Sequence, residues 1–215
     1  MAHKVHPKAF RIRRVEDWDS RGFYEKNFSS ELEEDFKIRD FLEKKIKKLG
    51  VGKIEIEKFP SKINIIISTS RPGLVIGRGG EDVEKLKKEL KEKILKRKIE
   101  LRIEIREIRN PWLCAALVAQ WMTGQIERRT NYRRVLKRAL SKIMGNKEVK
   151  GARVEVKGRL NGIQISRKEW LKEGRLPRQT IRADIDYAQE TAFCSYGAVG
   201  IKIWIYKGEK DESEE

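Results

Sequence analysis

Residues 75–86 read Val-Ile-Gly-Arg-Gly-Gly-Glu-Asp-Val-Glu-Lys-Leu, a glycine turn followed by a helical pattern. Gly77 and Gly80 stand three positions apart, and residues without a Cβ permit positive φ and the close approach of another backbone. Apolar residues at 83, 86, 90 and 94 recur at the helical period, which predicts a helix directly after the turn. The N–H groups at that helix start point outward and favour a phosphate. The stretch therefore predicts a joint of the Gly-x-x-Gly type, at which a sugar-phosphate backbone binds across Gly77, Arg78, Gly79 and Gly80.

A plain glycine-rich turn before a helix is the alternative interpretation of this stretch. Glu81 and Asp82 suit a helix N-terminus, but their charges would repel a phosphate nearby. The phosphate-binding motifs of nucleotide enzymes fit poorly, because Gly-x-x-x-x-Gly-Lys-Ser/Thr does not occur and position 82 is Asp where a dinucleotide fingerprint has glycine.

The flanks of the turn predict a complete small domain. A helix is expected from about Ser30, as a capping residue, to about Leu49. Strands are expected at 53–59, 63–67 and 99–105, and the apolar density of 63–67 indicates a central strand. The predicted order over residues 29–108 is helix-strand-strand-helix-helix-strand, an α+β domain.

A second domain is predicted over residues 109–208. Asn110-Pro111 is expected to start an apolar helix over 111–126, and a second helix follows from about Thr130 to Met144. Strands are expected at 152–159, 163–167, 180–192 and 199–206, with Asn161-Gly162 as a hairpin turn and 168–178 as a long basic loop. This domain is predicted to be α+β, with two helices on a four-stranded, mainly antiparallel sheet.

The helix predicted at 130–144 has one apolar side and one basic side. At 100° per residue, Leu136, Ala139 and Ile143 share a side, and the opposite side carries Arg133, Arg134, Lys137 and Arg138. Like charges at these spacings destabilise an isolated helix, so an external polyanion is expected to compensate them. A merely solvated helix would interleave acids, as residues 81–98 do.

Composition supports a polyanionic partner. The 215 residues carry a net charge of +17 with a pI of about 9.9, and roughly +12 of that charge lies in residues 109–206. RNA or DNA is a better match than a membrane surface. No stretch approaches the ~20 apolar residues of a membrane span. Cys114 and Cys194 are expected to be buried reduced thiols in a cytosolic protein, and no metal or cofactor site is expected.

Both termini are expected to lie outside the two domains. Residues 1–28 are predicted to be an arm and lead-in, whose first fourteen residues hold Lys4, Lys8, Arg11, Arg13 and Arg14 without an acid. Such an arm would stay extended until it meets phosphates, and a frayed terminus is the alternative. His3 and His6 have no further ligand residue near them in the sequence. Residues 209–215 hold five acids and are predicted to be disordered.

Taken together, the motifs resemble the family of bacterial small-subunit ribosomal protein three, from residue 2 to about 208. The stretches that carry this resemblance, in family order, are 4–7, 70–73 with 75–77, 80–86, 125–129, 133–134, 154–160, 169–170, 173–175 and 182–187. The sequence departs from the family pattern between the loop glycines, where two lysines are usual and Arg78 and Gly79 stand here. It departs again after Arg11, where Ile12-Arg13 replaces Leu-Gly.

The resemblance implies a type II KH domain joined to a family-specific α+β domain. It implies a place in the head of the small ribosomal subunit in the cytoplasm, bound to the large RNA of that subunit. It also implies contacts with small-subunit proteins ten and fourteen, and with proteins four and five across the entrance for messenger RNA. Arg133, Arg134, Lys137 and Arg138 would line that entrance and assist unwinding of structured messenger. The basic residues expected to bind ribosomal RNA are Lys4, Lys8, Arg11, Arg13, Arg14, Arg128, Arg129, Arg159, Arg167, Arg175 and Arg178.

Two other functions fit parts of the sequence. A free-standing KH protein, such as an RNA chaperone or decay factor, would share the glycine turn and the basic charge. A DNA-strand lyase or nuclease would need a lysine of depressed pKa or clustered carboxylates. Asp184 and Asp186 are the candidate pair for a nuclease, but no third acid or histidine lies near them in the sequence.

Overall fold

The computed structural model describes residues 5–12, 17–22, 28–46, 49–94 and 99–209. Two compact units form, one from residues 18–109 and one from residues 1–17 together with 110–215. In chain order the elements are α1 (Pro7–Arg11), β1 (Ser20–Gly22), α2 (Phe28–Ile46), β2 (Val51–Lys58), β3 (Lys62–Thr69), α3 (Pro72–Ile76), α4 (Glu81–Lys93), β4 (Glu100–Glu107), α5 (Ala115–Glu127), α6 (Tyr132–Met144), β5 (Gly151–Gly158), β6 (Arg167–Gly174), β7 (Ala183–Cys194) and β8 (Gly197–Glu209).

The first unit confirms the order helix-strand-strand-helix-helix-strand of a type II KH domain, here α2, β2, β3, α3, α4 and β4. Its sheet has the order β1-β2-β3-β4, with β2 and β3 antiparallel and the other two pairs parallel. β3 is central, as its apolar density predicted, and Ile65 and Ile67 are fully buried. Leu42 of α2 and Leu90 of α4 belong to the same hydrophobic core, so both helices pack on one face of the sheet.

The short strand β1 has no counterpart in the sequence prediction. Its three residues, Ser-Arg-Gly, carry no apolar alternation, so local pattern cannot reveal them. Tertiary contacts position the strand instead, because Arg39 donates hydrogen bonds of 2.6 Å to the carbonyl oxygens of both Asp19 and Ile54. The parallel register then pairs Ser20 with Ile56.

The second unit confirms two helices on a four-stranded sheet, with strand order β6-β5-β8-β7 and every neighbouring pair antiparallel. Helices α5 and α6 pack on one face, which we call the inner face. Met122 of α5 and Ile143 of α6 share a buried core there with Val154 of β5 and Ile203 of β8. No helix in the described parts of the chain is long and apolar enough to cross a membrane.

The prediction for residues 161–178 is wrong in two respects. Asn161-Gly162 does not form a two-residue hairpin; it lies in a 3-10 turn within a longer connection between β5 and β6, and residues 163–166 are not a strand. The predicted basic loop instead contains strand β6, Arg167–Gly174. β6 is an edge strand with mostly exposed charged residues, so it lacks the hydrophobic signal on which strand prediction depends.

The extended arm predicted for residues 1–14 is wrong for residues 7–11, which form α1. His6 accepts a hydrogen bond from the backbone N–H of Ala9, and Pro7 occupies the first helical turn, where its missing N–H costs nothing. The predicted residues Lys4, Arg13 and Arg14, and the tail from 210 to 215, lie outside the described residues. β8 itself continues to Glu209, three residues beyond its predicted end.

The start of α5 also differs from prediction. Residues 111–113 form a 3-10 turn, and the side chain of Asn110 caps neither that turn nor α5, which begins at Ala115. The carboxylate of Asp186 on β7 accepts the hydrogen bond from the Ala115 N–H, at 2.7 Å. Asp186, 71 positions away in sequence, thus caps the start of α5 in place of Asn110.

Candidate RNA-binding surfaces

The glycine turn has the backbone that its sequence predicted. Gly77, Gly79 and Gly80 have φ values of +74°, +61° and +85°, and Gly80 directly precedes α4. Nothing lies within 4 Å of a Cβ built on Gly79 or Gly80, so another backbone can approach both positions. Arg78, between them, is exposed.

The charges around this turn are less favourable to a phosphate than its backbone. A Cβ built on Gly77 would collide with Oδ2 of Asp82, so that carboxylate covers the start of the turn. Lys85 forms ion pairs with Glu81 at 3.3 Å and with Asp82 at 3.8 Å, and thus neutralises only part of the acidic first turn of α4. Arg78 is the cation of the turn itself, so the electrostatic attraction here is weak.

Two apolar side chains beside the turn were missed by sequence reasoning. Leu74 and Ile76 of α3 are exposed, while Val75 between them is buried against the domain. The three consecutive apolar residues look alike in sequence, and only the helix orientation separates the buried one from the exposed pair. These two exposed aliphatic side chains form an apolar surface directly beside the glycine turn.

Helix α6 presents the basic face that its sequence predicted. Val135, Leu136, Ala139 and Ile143 are buried, and Asn131 caps the helix by accepting a hydrogen bond from the Arg133 N–H at 3.0 Å. The four predicted cations are all exposed: Arg133, Arg134, Lys137 and Arg138. Because the apolar side is anchored in the core, these side chains project from a rigid support.

Arg133 differs from the other three cations of α6. Its guanidinium donates to the carboxylate of Glu169 on β6, and the Tyr132 hydroxyl donates to the same carboxylate at 2.7 Å. The hydrogen bonds from Arg133 and Tyr132 lower the pKa of Glu169. Among the described residues, no carboxylate lies within ion-pair distance of the remaining three, which are Arg134, Lys137 and Arg138.

The residues predicted to bind ribosomal RNA are placed in three different ways. Lys8 forms an ion pair with Asp186 at 3.2 Å, and Arg159 donates to the carbonyl oxygens of Tyr196 and Ile163. Arg11 is only 2% exposed and belongs to the interior of its unit. The remaining described ones are exposed: Arg128, Arg129, Arg167, Arg175 and Arg178.

One of the two carboxylates considered for a nuclease, Asp186, has a structural function. Asp186 is occupied by Lys8 and by the N–H of Ala115. The register shift beside Asp184 leaves its extra residue, Lys207, on β8, so β7 keeps its alternation and Asp184 and Asp186 lie on the same face, as predicted. Among the described residues, no three His, Cys, Asp or Glu side chains cluster closely enough to hold a metal ion.

Cys114 and Cys194 are free thiols and are only partly buried, and burial raises the pKa of Cys114.

A KH unit with a glycine turn and an α+β unit with a basic helix define the chain as a two-domain RNA-binding protein. Comparison with known proteins agrees: residues 37–113 match the KH domain family, and residues 122–205 match the family described as "Ribosomal protein S3, C-terminal domain".

Full-length relatives make the assignment specific. The chain is 47% identical over 210 residues to small ribosomal subunit protein uS3 of Caldicellulosiruptor saccharolyticus, covering 97% of this chain and 93% of that protein. It is 44% identical over 209 residues to the uS3 protein of Syntrophobacter fumaroxidans, covering 97% and 99%. It is 46% identical over 210 residues to that of Hahella chejuensis, covering 97% and 91%. The chain belongs to the ribosomal protein S3 family, a family of structural proteins and not of enzymes.

Proposed function

We propose that this chain is a structural constituent of the small ribosomal subunit in the cytoplasm, where it binds the large RNA of that subunit in the head. It also lines the entrance for messenger RNA, positions the messenger and assists its unwinding during translation. Its neighbours on this proposal are small-subunit proteins ten and fourteen, with proteins four and five across the entrance. Family membership and the resemblance described above support the assembly, and the basic face of α6 supports the messenger contact.

The observation that carries the messenger contact is the set of three cations on α6 without a nearby carboxylate, Arg134, Lys137 and Arg138. Phosphate contacts fix a nucleic acid in place without reading its sequence, which suits a surface past which every messenger moves. Arg133 contributes less, because the Glu169 carboxylate already neutralises it.

Elongation on matched messengers tests this contact. Ribosomes carrying Arg134→Ala, Lys137→Ala and Arg138→Ala together should translate an unstructured messenger normally and slow at a stable hairpin placed at the entrance. The fold should hold, because alanine is a good helix former and its introduction removes repulsion along the helix. The control is Lys87→Ala, Lys88→Ala and Lys91→Ala on α4, which removes the same charge from a helix that also carries acids. Equal rates for both variants on the hairpin messenger would contradict the proposal.

Salt dependence separates the contribution of the two units. The α6 triple variant should make the plot of log K against log salt shallower by about 2 for single-stranded RNA, whereas Arg78→Ala in the glycine turn should change it by less than about 1. A larger change for Arg78→Ala would assign the main phosphate contact to the KH turn instead.

The free-standing RNA-binding protein is the alternative that the fold alone permits. Sedimentation of extract from the source cell in a sucrose gradient distinguishes the two. A ribosomal constituent sediments with small subunits, whereas a free-standing KH protein stays near the top of the gradient.

A further inference from the structure

The face of the second sheet that points away from α5 and α6 has a composition of its own, and we call it the outer face. Antiparallel pairing places Arg153 of β5 opposite Trp204 of β8, and Glu155 of β5 opposite Trp170 of β6. Side chains alternate along a strand, so Lys168 and Lys172 flank Trp170 on this face, while Glu169 and Leu171 point inward. The edge of the outer face is therefore a tryptophan between two lysines.

Trp170 is stacked on a buried guanidinium. The Cζ atom of Arg153 lies 4.2 Å from the centroid of the Trp170 ring, and Arg153 is only 9% exposed. Arg153 also pairs with Glu155 at 2.9 Å. With one face of its ring on Arg153, Trp170 is still 50% exposed. The face turned away from Arg153 is thus open to a planar ligand, and the cation behind the ring holds the indole in place.

The surroundings of Trp170 carry more positive than negative charge. Glu155 is shared by Arg153 and Lys168, which lies 3.0 Å from it. Lys172 is exposed and has no carboxylate within ion-pair distance in the described chain. Nε of Arg153 is buried, and no hydrogen-bond partner for it exists among the described residues. Glu155 thus pairs with two of the three cations near Trp170 and leaves Lys172 unpaired among the described residues, an arrangement that favours an anionic ligand.

The segment around Arg178 places a further positive charge beside the outer face. Arg178 is exposed overall, but its guanidinium lies 5.8 Å from the Trp204 ring, and this partial desolvation together with the charge of Arg153 lowers the Arg178 pKa. The backbone that carries Arg178 is bound by Arg11 of α1, whose Nη2 donates to the carbonyl oxygens of Arg178 at 3.1 Å and Thr180 at 3.0 Å. The outer face is therefore organised before any ligand arrives.

We propose that Trp170 is a stacking platform for an unpaired RNA base, and that Lys172 and Lys168 contact the phosphates on either side of that base. An aromatic ring between cations is the combination by which proteins bind single-stranded RNA with little sequence preference. A purely apolar protein partner would bury the lysines unpaired, so the charges favour the nucleic acid. This inference rests on the RNA-binding function proposed above and adds a base contact to it.

Two probes separate base stacking from phosphate binding in the full-length chain. One is a twelve-nucleotide oligoadenylate RNA, and the other is a ribose-phosphate oligomer of the same length without bases. Trp170→Leu should weaken binding of oligoadenylate about tenfold and leave binding of the abasic oligomer unchanged. Trp170→Phe keeps a ring and should lose less. The matched control is Trp18→Leu, which removes an indole of similar exposure, 53%, from the other unit.

Tryptophan fluorescence gives a local readout that does not depend on overall affinity. Oligoadenylate should quench the full-length chain and the Trp18→Phe variant, and the quenching should be largely lost in Trp170→Phe. Unchanged quenching in Trp170→Phe, or equal weakening of both probes by Trp170→Leu, would overturn the stacking proposal. Normal RNA binding with loss of a neighbouring protein from assembled subunits would overturn it as well, in favour of a protein contact.

Failure of this inference is distinguishable from failure of the proposed function. The triple variant of α6 should weaken both probes, because it removes phosphate contacts alone. If that variant weakens binding while Trp170→Leu does not, the RNA-binding face of α6 stands and the base platform is wrong.

Discussion

The guanidinium of Arg133 on α6 donates two hydrogen bonds to the carboxylate of Glu169 on β6, from Nε to Oε2 and from Nη2 to Oε1, each 3.3 Å long. The two residues are 36 positions apart in sequence, and the pair joins the basic helix to the edge strand. One of the four cations predicted for the messenger is thus held by its own protein.

Glu169→Gln should release Arg133 for RNA. The variant removes the negative charge that Arg133 faces, so RNA binding at low salt should become tighter. The plot of log K against log salt should become steeper by about 1, since one more cation reaches a phosphate. Glu173→Gln on the same strand is the control, because no ion pair involves Glu173 among the described residues. Identical salt dependence for the two variants would show that Glu169 does not restrain Arg133.

Gly77→Ala should destabilise the first unit, whereas Gly79→Asn should be tolerated. Gly77 has φ +74° and ψ −178°, a region essentially restricted to glycine, and an added Cβ would meet the Asp82 carboxylate. The expected loss in free energy of unfolding is about 1–3 kcal/mol. Gly79 has φ +61° and ψ +14° in open space, a left-handed conformation that Asn adopts readily. Urea unfolding measures the free energy of unfolding of both variants, and equal losses would contradict the strained conformation assigned to Gly77. A charged residue introduced to block RNA binding at the turn is therefore better placed at Gly79 than at Gly77.

Arg11→Met should loosen residues 175–182 of the second unit. Arg11 is buried and donates to backbone carbonyl oxygens of Pro7, Arg178 and Thr180, so its loss leaves these acceptors without their donor. The expected cost is about 2–4 kcal/mol, since several hydrogen bonds from a charged group are removed together. Hydrogen exchange of the amides between 175 and 182 should accelerate. Arg175→Met, at an exposed position of the same segment, should leave exchange and stability nearly unchanged; similar effects of both variants would contradict a structural role of Arg11.

Glu155→Gln should flatten the acid dependence of stability. Burial favours the protonated form of Glu155, but hydrogen bonds from Lys168 and Arg153 outweigh it and hold its pKa below the ordinary value. The stabilisation is therefore fully present above the pKa of an unfolded glutamate, ~4.3, and is lost as pH falls through the lower folded pKa. Urea midpoints between pH 6 and pH 3 measure the difference, with the exposed Glu148→Gln as control. A parallel decline in wild type and Glu155→Gln would contradict the coupling.

Much of the fold was predictable because its signals are local. The period of 3.6 residues in α4 and α6, the apolar density of β3 and the glycines at 77 and 80 each depend on a short stretch of chain. β1 and β6 gave no such signal, since a three-residue strand and a charged edge strand bury too little apolar surface to leave a pattern. Asn161-Gly162 has the sequence of a hairpin turn, but in the structure it lies in a 3-10 turn within a longer connection between β5 and β6.

The features of the candidate site also divide into those that depend on local sequence and those that depend on long-range contacts. The glycine turn, the basic side of α6 and the excess positive charge of residues 109–206 follow from local sequence, because spacing and composition do not depend on a distant partner. Three other features depend on long-range packing: Arg11 lies inside the second unit, Glu169 holds Arg133, and Arg153 supports an exposed Trp170. Each of these contacts joins residues far apart in sequence, and their geometry exists only after the hydrophobic core has brought the strands and helices together.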